Sequence, residues 1–335
     1  MSFFSKIIKT VFVLTFCFTQ NVTSASEVEL SVGYENSPEG PFGLGIQKWK
    51  ELLEEKSNGS MSINSFSFSL LGSKQELLDQ MVAGEPVCTL TDGAFFADRG
   101  VNDMGIMFAP YLFSSWEQAF NLSNSDWYKK LSDEVLKKSH IKIIASNWKY
   151  GARQILTTKP LYSLADFKDL KIRVPNNIIQ QRAFEVLGAK PVPMPLSDVY
   201  DALEKGEIEG LENPLSVLYN GQFYDIAKYL LLDNHILNMT NIVVGETFWN
   251  SLTEDQQNLL VETCKEAGNY QNSVLEKQEE LILERFKSEG VEILVPSLIF
   301  KQSLVNASQK FYDLNDFKKW TPNLYDTVRA NLNNP

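Results

Sequence analysis

Apolar residues along this chain recur first at every second position and then at every third or fourth, and this change of period repeats. In Val28-Glu29-Leu30-Ser31-Val32-Gly33-Tyr34 the alternation has the period of a half-buried strand. From Phe42 to Ser57 the spacing of Ile46, Trp49, Leu52 and Leu53 is helical, and Asn58-Gly59 ends it. Met61 to Phe68 predicts the next strand, Ser73-Lys74-Gln75-Glu76 a capping box opening a helix to Val82, and Pro86 to Thr91 a third strand. The rhythm runs on to a strand at Ile141-Lys142-Ile143-Ile144-Ala145. Strands separated by helices of this length predict an α/β fold, with parallel sheets and helices on their faces.

After the polar and aromatic stretch Asn147-Trp148-Lys149-Tyr150 the rhythm restarts at Gly151. Lys171 to Val174 reads as a short strand, Ile178 to Leu187 as a helix closed by Gly188, and Lys190 to Val192 as a strand. Ser197 to Lys205, closed by Gly206, reads as a helix, and Glu207 to Leu211 as a strand. This second α/β unit fits the two domains expected of 335 residues. Thr253-Glu254-Asp255-Gln256 is another capping box, and the stripe Leu260, Cys264, Ala267, Val274, Leu281 and Phe286 keeps helical period almost to Gly290. A helix that long can cross both units. With no repeats and no Gly/Ser linker, the units are expected to be joined by tight, ordered crossings.

Lys6 and Lys9 precede the apolar run Val11 to Phe18, and polar residues then lead to Thr23-Ser24-Ala25. These are the three zones of a secretory signal peptide, with cleavage expected after Ala25. The run is shorter than the roughly 20 residues a bilayer span needs, so an exported chain is expected and not a membrane-spanning one.

Composition is that of an ordinary globular protein, 44% hydrophobic and 22% charged. The net charge of −11 excludes a nucleic-acid or anionic-membrane partner held by broad electrostatics, so an anionic ligand needs a local basic pocket. Cys88 sits in an apolar run and Cys264 on the inner stripe of the long helix, which reads as two buried free thiols. No Cys/His cluster has zinc spacing, and no metal or cofactor is expected.

The motifs of an exported enzyme are absent. There is no Gly-x-Ser-x-Gly elbow, no His-Glu-x-x-His, no Walker loop and no calcium-loop spacing. Paired-carboxylate hydrolysis leaves no motif among 42 acidic residues, so an exported hydrolase or lyase acting on sugar acids is the rival from another class. His140, after Lys137-Lys138-Ser139, reads as a structural cation at a helix C-terminus. His235, in the polar run Asp233-Asn234-His235-Ile236-Leu237-Asn238, reads as a loop residue, and lining a site is one of its two readings.

A candidate anion site lies in Lys171-Ile172-Arg173-Val174-Pro175-Asn176. Alternation sets Arg173 opposite Ile172 and Val174, and Pro175 stops the strand. At a strand's C-terminal end Arg173 points into the crevice where such sheets bind ligands, beside the free N–H groups of the next helix. The alternative is an exposed Arg on an edge strand. For Arg153, local sequence favours a salt bridge to a nearby acid. Lys74 opposes the dipole of a capped helix, and Asp92 and Asn213 are strand-end residues that suit either a turn or the crevice.

These segments, with Leu187-Gly188-Ala189, Pro193-Met194-Pro195, Asp198-Val199-Tyr200-Asp201-Ala202-Leu203 and Gly210-Leu211-Glu212-Asn213-Pro214, resemble the DctP-like substrate-binding proteins of tripartite ATP-independent periplasmic (TRAP) transporters. The likeness extends to Gly33-Tyr34-Glu35, Lys56-Ser57-Asn58-Gly59, Leu71-Gly72-Ser73 and Pro110-Tyr111-Leu112-Phe113. It implies a two-lobed periplasmic-binding-protein fold with a hinged cleft and a long helix spanning both lobes. Lobe I would hold residues 26–150 plus 239–280, and lobe II 151–238 plus 281–335. It implies a monomeric periplasmic receptor with no catalytic residues, which delivers a small carboxylate to the membrane permease subunits. Arg173 matches the family's two-pronged carboxylate-binding Arg, Arg153 a second cationic residue, and Asn176 and Asn213 polar cleft residues. Asp92 matches a position that is acidic in sialic-acid-binding members, and Glu35 falls where the first strand meets the cleft. Lys74 departs from the sialic-acid binders, which look acidic there. Hydroxyl partners at Glu35, Asp92, Asn176 and Asn213, with Trp148 as the aromatic, favour a sugar acid or keto sugar acid, with a C4-dicarboxylate next.

Overall fold

The computed structural model describes residues 28–332, so the expected signal peptide lies outside the described residues. Nine strands form one sheet: β1 (Val28–Gly33), β2 (Met61–Phe66), β3 (Val87–Thr91), β4 (Ile141–Thr157), β5 (Lys171–Val174), β6 (Lys190–Pro193), β7 (Gly210–Pro214), β8 (Tyr229–Gly245) and β9 (Glu292–Leu294). Their order is β2-β1-β3-β8-β4-β7-β5-β6, with β9 beside β8. β1, β2 and β3 are mutually parallel, as are β5, β6 and β7. The strand–helix rhythm in the sequence is thus two parallel α/β units. β3 is buried along its whole length because helices cover both faces, which is why it reads as a continuous apolar run.

The units are joined by β4 and β8, each of 17 residues and antiparallel to one another from Ile141↔Gly245 to Thr157↔Tyr229. Their first-unit halves pair Lys149 with Met239, and their second-unit halves begin at Gly151 opposite Asn238. Here the structure corrects two expectations. Asn147 to Tyr150 is not a break but the middle of β4, and Asp233 to Asn238 is not a loop but part of β8. Register shifts at Ala145, Trp148, Gly151 and Ile155 break the alternation that the sequence reading depended on. Gly151 adopts φ +131°, and a Cβ there would lie 2.6 Å from Pro214 Cβ, so glycine alone suits this bend. The strand read at Glu207 to Leu211 lies three residues later, at β7, because its buried Glu212 and Asn213 look like turn residues.

The long helix spans Glu254–Ser288, 35 residues or about 52 Å, and opens with the Thr253/Gln256 capping box. Its inner stripe is Leu260, Cys264, Ala267, Gln271, Leu275, Ile282 and Phe286; Leu281, expected inside, is 59% exposed, one position off the stripe. Trp148 is fully buried between this helix and the helix Pro41–Lys56, donating its indole N–H to Cys264 O at 3.1 Å and packing on Phe42 with ring centroids 5.2 Å apart. Gly45 makes that approach feasible, since a Cβ there would lie 2.6 Å from the Trp148 ring. Cys88 and Cys264 are free and buried. The C-terminal segment reaches back to the first unit's side: Tyr312 Oη donates to Pro110 O at 3.2 Å, Thr321 Oγ1 to Asp103 Oδ2 at 2.6 Å, and Asn121 Nδ2 to Leu332 O at 3.0 Å.

Candidate functional site

The C-terminal ends of β1, β3, β5 and β7 converge where the two units face each other, the place at which α/β sheets present ligand sites. The cavity there, about 460 Å³ counted out to its mouth, is walled by Glu35, Lys74, Asp92, Tyr150, Arg153, Arg173, Asn176 and Asn213, with Phe95, Met194, Pro195 and Leu196. Seven of the nine residues singled out in the sequence therefore share one wall. Trp148 and His235 are the corrections. Trp148 is a packing wedge, and the aromatics that face the cavity are Phe95 and Tyr150, the latter two positions on from Trp148; His235 sits behind the wall.

Arg173 follows from the strand reading. Ile172 and Val174 enter the core, and the guanidinium turns to the cleft at 3% exposure. Its Nε and Nη2 donate to Met194 O at 3.0 and 2.8 Å. No carboxylate of the described residues lies within salt-bridge range of it, although every other cation on this wall has one nearby. Burial lowers its pKa to about 10 against the distant pull of Glu35 and Glu212, so it stays charged at neutral pH. A charged, buried and unpaired guanidinium is costly unless an anion meets it.

Arg153 behaves as its local sequence suggested. Its Nε and Nη2 fork onto both Glu212 carboxylate oxygens, and Nη1 donates to Asn238 Oδ1 at 3.0 Å. Burial works to lower its pKa, but Glu212 outweighs that and holds it charged. Glu212, fully buried, is the hub. Besides Arg153 it accepts from Gln180 Nε2 at 2.9 Å and from His235 Nε2 at 3.1 Å, and its pKa lies below normal because Arg153 and His235 overcome the penalty of burial. Sequence reasoning missed Glu212, whose only signal was an acid directly after Leu211 and before Asn213-Pro214.

Lys74 begins the helix Lys74–Val82 and turns inward, 3.5 Å from Glu35 Oε2 and over the Phe95 ring at 5.0 Å. Burial would neutralise it, but Glu35 and Asp92 raise its pKa and keep the ammonium. Asp92 caps the helix Gly93–Asp98 by accepting from Ala94 N at 3.1 Å; burial raises its pKa although Lys74 and Arg153 oppose that. Across the cleft, Gln75 Nε2 donates to Asn176 O at 3.2 Å, one of the bonds that hold the two walls together.

His235 carries the clearest pH signature. Its Nδ1 faces Asp233 Oδ1 at 2.9 Å and Nε2 faces Glu212, an arrangement that only the doubly protonated ring satisfies at both ends. Burial opposes the charge, but the two carboxylates raise the pKa to about 9. Because the folded value lies above the unfolded 6.5, the stabilisation is complete below pH 6.5 and disappears as pH rises through about 9; its size is on the order of 3 kcal/mol. Denaturation midpoints measured from pH 6 to 10 should fall most steeply between the unfolded and folded values, at about pH 7 to 8.5, and level off by pH 10, and His235→Asn should flatten that slope. An unchanged slope in the variant would assign it to other groups.

Two α/β units around a cleft that offers a fixed guanidinium with no carboxylate in range among the described residues have the geometry of a solute-binding protein for an organic anion. Residues 32–319 match the bacterial extracellular solute-binding protein family 7, DctP, and the chain belongs to that family, whose members are receptors in periplasmic transport. It is similar to a TRAP periplasmic solute-binding protein from Ochrobacterium anthropi solved with bound L-fuconate, at 38% identity and TM-score 0.86 over 91% of this chain and 99% of that one. A second such protein, from Actinobacillus succinogenes 130Z with bound L-galactonate, matches at 37% identity and TM-score 0.86, again over 91% and 99%. The 2,3-diketo-L-gulonate-binding periplasmic protein of Escherichia coli K12 is 29% identical over 82% of this chain and 83% of its own. Among the described residues no helix is long and apolar enough to cross a membrane.

Proposed function

We propose that this receptor binds one sugar monocarboxylate in the cleft, closes on it, and hands it chemically unchanged to the permease subunits of a TRAP transporter. The observation that carries the reading is Arg173, the one wall cation without an acidic partner in range among the described residues. Its remaining donors, on Nη1 and Nη2, with Asn176 and Asn213 nearby, suit the carboxylate, and Arg153 lies on the same wall. The acids Glu35 and Asp92 on the same wall repel a second carboxylate and accept hydrogen bonds from hydroxyls, which favours a sugar acid over a C4-dicarboxylate. The bound sugar acids of the two solved relatives support the same class.

In this reading residues 26–150 and 239–280 form one lobe and 151–238 and 281–335 the other, with β4 and β8 flexing near Gly151 and Asn238. Export follows cleavage near Ala25, and the receptor acts as a monomer. Calorimetric titration with L-galactonate, L-fuconate, succinate and malate tests the ligand class. The sugar acids should bind at least tenfold more tightly than the dicarboxylates, and mass spectrometry after prolonged incubation should recover them unaltered. Tighter binding of succinate overturns the ligand class, and conversion of the sugar acid favours the hydrolase or lyase rival.

A further inference from the structure

The acid-binding cavity opens onto a second, larger chamber. The two share Glu35, Tyr150 and Leu196, and the second measures about 970 Å³ counted out to its mouth. It runs away from Arg173, between the helix Pro41–Lys56 on one side and the helix Leu215–Asn220 with Tyr200 on the other.

Its wall is of two kinds. Phe42, Phe223 and Tyr200 supply aromatic surface, while Ser37, Ser216 and Asn220 supply short polar groups. Two further wall residues carry buried amide oxygens with no hydrogen-bond partner. Gln271, 1% exposed, spends its Nε2 on Lys149 O at 2.9 Å and leaves Oε1 unpaired; Asn36 spends its Nδ2 on Tyr150 Oη at 3.0 Å and leaves Oδ1 unpaired. A buried acceptor without a donor is costly, and such groups in a native wall call for a partner. An apolar occupant would leave both unpaired. An occupant with hydroxyl edges and C–H faces matches the polar groups and the aromatics of this wall together, and that is the chemistry of a sugar ring.

We propose that this chamber is a ligand subsite and that the receptor takes glycosidically extended sugar acids, disaccharide acids with the carboxylate at Arg173 and the second ring between Phe42 and Tyr200. The proposal rests on the monocarboxylate reading above and narrows its substrate class. The linkage oxygen would pass beside Glu35, Tyr150 and Leu196, the residues common to both cavities.

The test compares matched pairs of monocarboxylates by calorimetry: D-gluconate with lactobionate, and D-gluconate with cellobionate. In at least one pair the disaccharide acid should bind tenfold or more tightly than its monosaccharide partner. Val217→Trp, which fills the chamber, should abolish that difference. If Val217→Trp fails to fold, Tyr200→Ala serves instead: the rim residue's loss should weaken the disaccharide acid at least fivefold and narrow the difference. Monosaccharide acids binding as tightly as or more tightly than every disaccharide acid would overturn the extended subsite while leaving the receptor reading intact. Preference for dicarboxylates over every sugar acid would overturn both.

Discussion

Arg173→Ala weakens sugar-acid binding by about 30-fold to several thousand-fold, the equivalent of roughly 2–5 kcal/mol for removing one side of a buried, hydrogen-bonded charge pair. The expectation follows from geometry. The guanidinium is buried, charged and fixed in place by two bonds to Met194 O, so a carboxylate that meets it is desolvated and depends on it for donors. Arg173→Lys keeps a charge but loses the planar fork and the Met194 anchor, and should bind nearly as poorly. The unliganded protein should melt within a few degrees of wild type in both variants, because the lost bonds are offset by removal of an unpaired buried cation. Wild-type affinity in Arg173→Lys would contradict a two-pronged pairing. Outright unfolding of Arg173→Ala would assign the residue to the core.

Glu212→Gln acts the other way, on folding before binding. The substitution preserves shape but removes the charge that Arg153 and His235 share, leaving two buried cations facing a neutral amide. Breaking a buried pair from one side costs about 3–5 kcal/mol, so urea denaturation should show a loss of that order. The loss should shrink as pH rises past 9, because His235 then sheds the proton that made the site doubly cationic. A loss below about 1 kcal/mol at neutral pH would mean that the network is solvated in a way its burial does not suggest.

The sequence disclosed the parts of this protein whose local pattern and environment agree. β1, β2, β3 and β5, the two capping boxes, and Arg173 at a strand end were all readable, because each rests on a period or a cap of a few residues. β4 and β8 were not. Their bulges interrupt the alternation, and the polar run Asp233 to Asn238 looks like a loop only while its partners in β4 and its buried acids are out of view. The same blindness hid Glu212. A fully buried acid resembles a turn residue until Arg153, Gln180 and His235, distant in sequence, are brought to it. Trp148 misled for the opposite reason: an aromatic among polar residues suggests a ligand platform, yet the glycines at 45 and 268 let two helices close over it.

The central claim is that Arg173 receives the carboxylate of a sugar acid inside the cleft. A crystal structure of the protein with L-galactonate tests it most directly. The account predicts the carboxylate within hydrogen-bond distance of the Arg173 guanidinium, with sugar hydroxyls on Glu35 or Asp92. A carboxylate placed on Lys74 with Arg173 still turned only to Met194 would contradict it, as would a ligand bound outside the cleft.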